Sequence, residues 1–201
     1  MLGPGRGGRL RRRVSAAGFP AGCDLCDTWT VTSGGPAGDE LVDIVDEHDN
    51  VVDTVSRRVM RAGRLRHRAV YIAVQNSEGR LFVHQRSFDK DVRPGAWDIA
   101  VGGVVGAGES YDVAAVRELE EEIGITGVVF TPWGGGVFGD ESYELIGRCY
   151  HLVHDGPFTF DDGEVIDHQW LNRGELQQLL RHGDVVHDSI ALLLERLVVV
   201  E

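Results

Sequence analysis

Between Gly103 and Ile125 the chain reads GVVGAGESYDVAAVRELEEEIGI, and its reactive groups sit in the second half. Glu118, Glu121 and Glu122 recur at spacings i, i+3 and i+4, which on a helix turns all three carboxylates to one face. Ser110 is a natural N-cap, the stretch Tyr111–Ile123 holds no Gly or Pro, and Gly124 stands where a helix closes with a left-handed residue. At roughly 100° per residue, Ala115, Val116, Leu119 and Ile123 fall on a separate apolar face. One side packs and the other carries three like charges. Such charges raise one another's pKa and weaken the helix unless a cation lies between them. Arg117 is the one basic residue in their midst, which argues against a merely solvated acidic face. Hard oxygen donors on a rigid element suit Mg²⁺, with Mn²⁺ as an alternative, and Mg²⁺ completes its shell with water and substrate phosphates.

Gly103, Glu109, Arg117-Glu118 and Glu121-Glu122-x-Gly124 fill every fixed position of a known signature. The segment resembles the Nudix hydrolases. The resemblance implies an α/β/α sandwich with a mixed sheet between helices over residues 39–201. It implies a Mg²⁺-dependent enzyme that cleaves a pyrophosphate bond in a nucleoside diphosphate derivative or a related organic diphosphate. It further implies Glu118, Glu121, Glu122 and the Gly102 carbonyl as metal ligands. The general base is then Glu121, Glu122 or Glu164, and the sequence does not choose. Glu164 lies outside the signature, ahead of a strand candidate at Val165, and reads equally as an acidic residue of the turn Asp161-Asp162-Gly163-Glu164. Arg117 orients a motif carboxylate, and Glu109 supports the loop or a further metal.

Upstream, Arg66-His67-Arg68, Arg86, Lys90 and Pro94-Gly95-x-Trp97 resemble the Nudix branch that contains the type I isopentenyl-diphosphate isomerases. There the residues matching Arg86 and Lys90 contact the substrate diphosphate, and a basic pair beside an acidic metal site is what a diphosphate requires. The alternative for Lys90 is a solvated loop charge. The isomerase residues themselves are replaced. A cysteine position is Gly102, two histidine positions are Met60 and Val104, and an E-x-E pair reads Ser142-x-Glu144; His67 and Glu144 remain. Acid–base isomerisation without those groups fails, so hydrolysis is the reading, with the isomerase and a non-catalytic diphosphate-binding module as alternatives. His67 reads as a polar residue at a strand start.

The elements that must position these groups alternate. Leu41–Val45 and Val51–Val55 flank a turn at Glu47-His48-Asp49-Asn50; Ala69–Val74 and Leu81–Gln85 flank one at Asn76-Ser77-Glu78-Gly79. A short helix is expected at Ser56–Arg61, an extended run at Trp97–Val105, and strands at Val128–Phe130, Glu144–Val153 and Val165–Leu171. Helices at Glu175–Arg181 and Ser189–Leu197 close the chain. Trp133–Gly136, with three successive glycines, reads as a mobile loop beside a pocket. The pattern is α+β or α/β layering.

The 201 residues carry a net charge of −12. Residues 1–38 hold five arginines against Asp24 and Asp27, a net of +3 that leaves −15 for the rest. An acidic body disfavours nucleic acid as a partner but accepts a phosphate ester once metal neutralises the site. No apolar run is long enough to span a membrane. The partner is a small-molecule diphosphate, with a homodimer left open. Residues 1–38, rich in Gly and Arg, read as a disordered tail without the apolar segment of a signal peptide, with a transit peptide as the weaker reading. Cys23-x-x-Cys26 lacks the second pair that zinc would need. Cys149 falls in an apolar strand pattern and reads as core. Three cysteines imply no disulfide framework, which points to a reducing, cytoplasmic setting.

Overall fold

The computed structural model describes residues 37–161 and 163–199. The expected tail, Cys23 and Cys26, and Asp162 lie outside the described residues, save for the last two positions before Asp39. Two antiparallel pairs open the body. β1 (Leu41–Val45) and β2 (Val51–Ser56) join through a turn in which the Asp46 carboxylate accepts from the backbone N–H groups of His48 and Asn50, the Asx device that makes such sequences turn. Ser56 caps α1 (Arg57–Gly63), accepting from the Val59 N–H, so the expected first helical residue is the cap itself.

β3 (His67–Gln75) and β4 (Leu81–Arg86) meet at Gln75 and Leu81 and then part. The expected extended run fills the wedge between them. Its regular strand, β5, is only Trp97–Asp98, on β4. Beyond it the chain crosses to β3, bridging at Ile72↔Val101 and Ala69↔Val104. That crossing delivers Gly102 and Gly103 to the next helix.

α2 (Tyr111–Ile123) is followed by β6 (Thr131–Gly139), β7 (Glu144–Val153), β8 (Val165–Leu171), α3 (Arg173–His182) and α4 (His187–Val199). The eight-stranded sheet runs β2-β1-β3-β4-β5, with β7 also on β3, β6 on β7 and β8 on β4. β3 and β7 are parallel, from His67↔Leu145 to Gln75↔Val153, while the other strand pairs are antiparallel. Val70, Ile72 and Val74 of β3 pack with Ala115, Leu119 and Ile123 of α2. Its alternate residues Ala69, Tyr71 and Ala73 pack with Leu176 of α3 and Leu192 and Leu193 of α4. Covered on both faces, β3 reads as a near-continuous apolar run, as such strands do. The architecture is the expected α/β/α sandwich with a mixed sheet. Cys149 is buried in β7, as expected for a core residue.

Two expectations fail. Val128–Phe130 is not a strand; pairing begins at Thr131. Trp133–Gly136 belongs to β6: Trp133 sits at a bulge, and Gly134, Gly135 and Gly136 pair with Cys149, Arg148 and Gly147 of β7. A Cβ on Gly135 would come within 2.3 Å of the Gly147 carbonyl oxygen, so the glycine permits close strand approach where its composition suggested a loop. Among the described residues, no helix is long and apolar enough to cross a membrane.

Candidate functional site

The first hairpin fixes the glycine loop and the start of α2. The Gly108 N–H donates to the Asp43 carboxylate at 2.8 Å, and the Ala107 N–H to the Leu41 carbonyl at 2.9 Å. The Tyr111 hydroxyl donates to Asp49 at 3.1 Å, and Arg68 Nε donates to the same carboxylate oxygen at 2.6 Å. Ser110 caps α2 through the Val113 N–H, and Gly124 closes it at φ 70°. The buried face carries Ala114, Ala115, Leu119 and Ile123; Val116, expected there, is exposed.

The three motif glutamates do not share one environment. Glu118 and Glu122 are buried, at 8% and 2% exposed, whereas the Glu121 side chain is 56% exposed. Glu118 fits because the residue beside it is glycine: a Cβ on Gly103 would lie 2.5 Å from Glu118 Oε1. Glu122 Oε2 accepts from the Gly102 N–H at 3.4 Å. Burial and the charge of Glu118 push the Glu122 carboxyl up to about 8. Burial also raises Glu118, against the opposing pull of Arg117.

Two cations divide these carboxylates. Arg117 Nη1 reaches Glu118 Oε1 at 2.7 Å and Glu121 Oε2 at 3.0 Å, while Nε and Nη2 grip Glu109 at 3.0 Å each. Nη2 also donates to the Val104 carbonyl at 3.1 Å. Burial disfavours the Arg117 charge, but bonds to Glu109 and the charges of Glu118 and Glu109 outweigh it and raise its pKa. The Lys90 ammonium contacts Glu164 and lies 3.7 Å from Glu122 Oε1. Among the described residues, no three carboxylate, histidine or cysteine groups converge as a metal site would require; Arg117 and Lys90 pair with the motif glutamates instead. The donor set still fits a divalent ion in kind. It is all oxygen, it rides on a helix packed along its length, and a dication would relieve the repulsion between Glu118 and Glu122.

Residues 65–192 match the NUDIX domain family. The chain belongs to the Nudix family. It is a Nudix hydrolase, an enzyme of the pyrophosphohydrolase type. It is 53% identical over 160 residues to an uncharacterised Nudix hydrolase of Streptomyces coelicolor, covering 77% of this chain and 87% of that one. Another, from Yersinia pestis, is 45% identical over 132 residues, 66% of this chain and 72% of that one. The crystal structure of DR0079 from Deinococcus radiodurans is similar in fold, with a TM-score of 0.67 and 27% identity over 78% of this chain and 98% of that one.

In this Nudix hydrolase Arg86 stands at the end of β4, its Nη1 3.5 Å from Asp98 Oδ2 and its Nε on the Val92 carbonyl. It does not touch the glutamates, although its charge lowers the Glu122 pKa. Asp98 is buried at 6% exposure, accepts from the Ala100 N–H, and has its pKa raised by burial against the pull of Arg86. Sequence reasoning passed over it; the signal was a lone carboxylate in the apolar run Trp97-x-Ile99-Ala100-Val101. It also passed over His84, on β4 with Arg86, which is buried at 1% with no partner for Nδ1 among the described residues and its pKa lowered by burial to about 3. A cavity of about 400 Å³ lies one residue along the loop from Lys90, between Asp91–Arg93, Tyr143 and His187. None of the motif glutamates lines it.

Proposed function

We propose that this enzyme is a divalent-metal-dependent hydrolase of a nucleoside diphosphate derivative or related organic diphosphate, with Mg²⁺ as its ion and the cytoplasm as its compartment. The observation that carries the reading is the buried pair Glu118 and Glu122, with a lysine beside one and an arginine beside the other. Glu118, Glu121 and Glu122, with the Gly102 carbonyl, are the residues that would hold the ion. Bound there, it would neutralise the diphosphate and acidify a water. Phosphoryl transfer asks mainly for positioning and charge stabilisation. Arg117, tied to Glu109, orients Glu118 and Glu121. Lys90 and Arg86 supply positive charge for the diphosphate. The base is Glu121, Glu122 or Glu164, and the Lys90 contact brings Glu164 next to Glu122.

The local structure favours this over isomerisation. A Cβ on Gly102 would lie 2.0 Å from the Val70 carbonyl oxygen, so the backbone leaves no room for a cysteine there. Met60 and Val104, at the histidine positions, are buried in one apolar cluster with Val42 and Ile44. His67 begins β3, buried, with Nδ1 on the Leu65 carbonyl and its pKa lowered by burial to about 4. Glu144 pairs with Arg66 at 2.7 Å. These groups are occupied in the fold. A phosphate-release screen over nucleotide, sugar and isoprenoid diphosphates, with Mg²⁺ and with Mn²⁺, tests the proposal. Release from at least one of them that stops on chelation is expected. Conversion of isopentenyl to dimethylallyl diphosphate without phosphate release would overturn it.

A further inference from the structure

Lys90 is the only lysine in the chain. It sits on the loop between β4 and β5, and that loop is tied down at several points. The Ser87 N–H donates to the Glu164 carbonyl at 2.8 Å, the Lys90 N–H to the Ser87 carbonyl, and Arg93 to Asp184 and the Val185 carbonyl. Its side chain is 17% exposed and ends between two carboxylates, in contact with Glu164 and 3.7 Å from Glu122. A buried carboxylate needs a positive partner or a proton, and for Glu122 the ammonium is the nearest cation. The neighbouring glutamate has its own, Arg117. The two differ in build. Arg117 is locked by bonds to Glu109, Glu118, Glu121 and the Val104 carbonyl. Lys90 carries a compact ammonium on a flexible stem, and among the described residues the charged partners of that ammonium are the two carboxylates.

We propose that Lys90 is an exchangeable internal counter-ion, which holds Glu122 and Glu164 until a divalent ion takes those carboxylates and then turns to the diphosphate. The inference rests on the hydrolase reading above. A dication on Glu122 repels an ammonium a few ångströms away, so the two cannot share the position. Once displaced, the ammonium remains on the same loop, next to the site where the substrate's charge arrives. Lys90 therefore opposes metal when substrate is absent and supports substrate when metal is present.

Two measurements without turnover test this on the full-length protein. The first is Mn²⁺ affinity, by titration with electron paramagnetic resonance, for wild type, Lys90→Met and Lys90→Arg. Removing the competing cation is expected to tighten Mn²⁺ by about fivefold or more, while Lys90→Arg, which keeps a cation at the two carboxylates, binds no tighter than wild type. Equal or weaker Mn²⁺ binding by Lys90→Met overturns the proposal. The second uses wild type and does not depend on a variant folding. A sole lysine lets an amine-acylating reagent be read at one site by peptide mass mapping. Mn²⁺ is expected to speed acylation of Lys90, because the ion releases its nitrogen from the two carboxylates that hold it as an ammonium; an unchanged or slower rate overturns the proposal. If Mn²⁺ responds to Lys90 as stated but no diphosphate is hydrolysed, the hydrolase reading fails and the counter-ion stands.

Discussion

Glu122 on α2 and Asp188 at the start of α4 are both buried carboxylates, and both have their pKa raised by burial. Their partners differ. Asp188 accepts from the Tyr71 hydroxyl at 2.7 Å and the Ser189 N–H at 3.0 Å, with Tyr143 as a further donor. These are neutral groups fixed by β3, by the β6–β7 turn and by α4 itself. Glu122 has a 3.4 Å bond from Gly102 and a lysine at 3.7 Å. Short bonds from fixed neutral donors bind a carboxylate into the fold. Long contacts and a movable cation leave it available to something more highly charged. The same side-chain chemistry thus serves structure in one place and exchange in the other, and the partner decides which.

Glu122→Gln should separate the two most sharply. If Glu122 holds the ion as proposed, losing its charge is expected to lower kcat/KM about a thousandfold or more, with the far-ultraviolet circular dichroism unchanged. Stability should move the other way with pH. The Glu122 pKa is raised in the fold from the ordinary 4.5 to about 8, so its stabilising effect is greatest below the ordinary value and is lost as pH rises toward the folded one. Melting temperatures of wild type and variant, compared across that window in chelator, should diverge in favour of Glu122→Gln as pH rises. A constant difference would show that Glu122 is not perturbed.

Arg86 bears on both regions without contacting Glu122, since its charge acts on that glutamate while Asp98 holds its guanidinium. Arg86→Ala is expected to cost roughly 1.5–3 kcal/mol in kcat/KM for any diphosphate accepted. Silent kinetics would place Arg86 wholly with the structural carboxylates. Tyr71→Phe removes one neutral donor from Asp188 and should lower unfolding free energy by about 1–2 kcal/mol, read by urea denaturation, with kcat unchanged per folded molecule. A fall in kcat instead would join the two regions functionally. The smallest effect is expected from removing residues 1–38, with melting temperature moving less than about 2 °C and hydrolase activity retained.

Much of this was legible in the sequence because it is local. The span of α2 follows from its cap, its unbroken interior and Gly124, and these fix where Glu118 and Glu122 point. The differing exposure of Glu121 was not legible, since it depends on which neighbours cover each glutamate. Gly134–Gly136 shows the limit on the fold side. Three glycines read as a loop until β7 is placed alongside, when Gly135 becomes the residue that lets two backbones approach. The contact between Lys90 and Glu164 also needed the sheet. Val165 lies opposite Arg86 only because β8 pairs with β4, and neither segment announces the other.

The parallel pairing of β3 with β7 has a consequence for how the chain acquires this shape. Their register joins His67 to Leu145 and runs on to Gln75 and Val153, so the central strand waits for a partner made long after it. Contacts between distant segments slow folding, because loop closure precedes any gain from them. On the ribosome, β1 and β2 can pair as soon as they emerge, and α2 can coil locally. Until β7 arrives, the apolar side of α2 faces an incomplete sheet. The interval exposes unpaired strand edges and apolar surface, the condition in which nascent chains aggregate. Slowing translation after β7 has emerged would leave β3 able to find its parallel partner, whereas a pause between α2 and β7 would prolong that exposure.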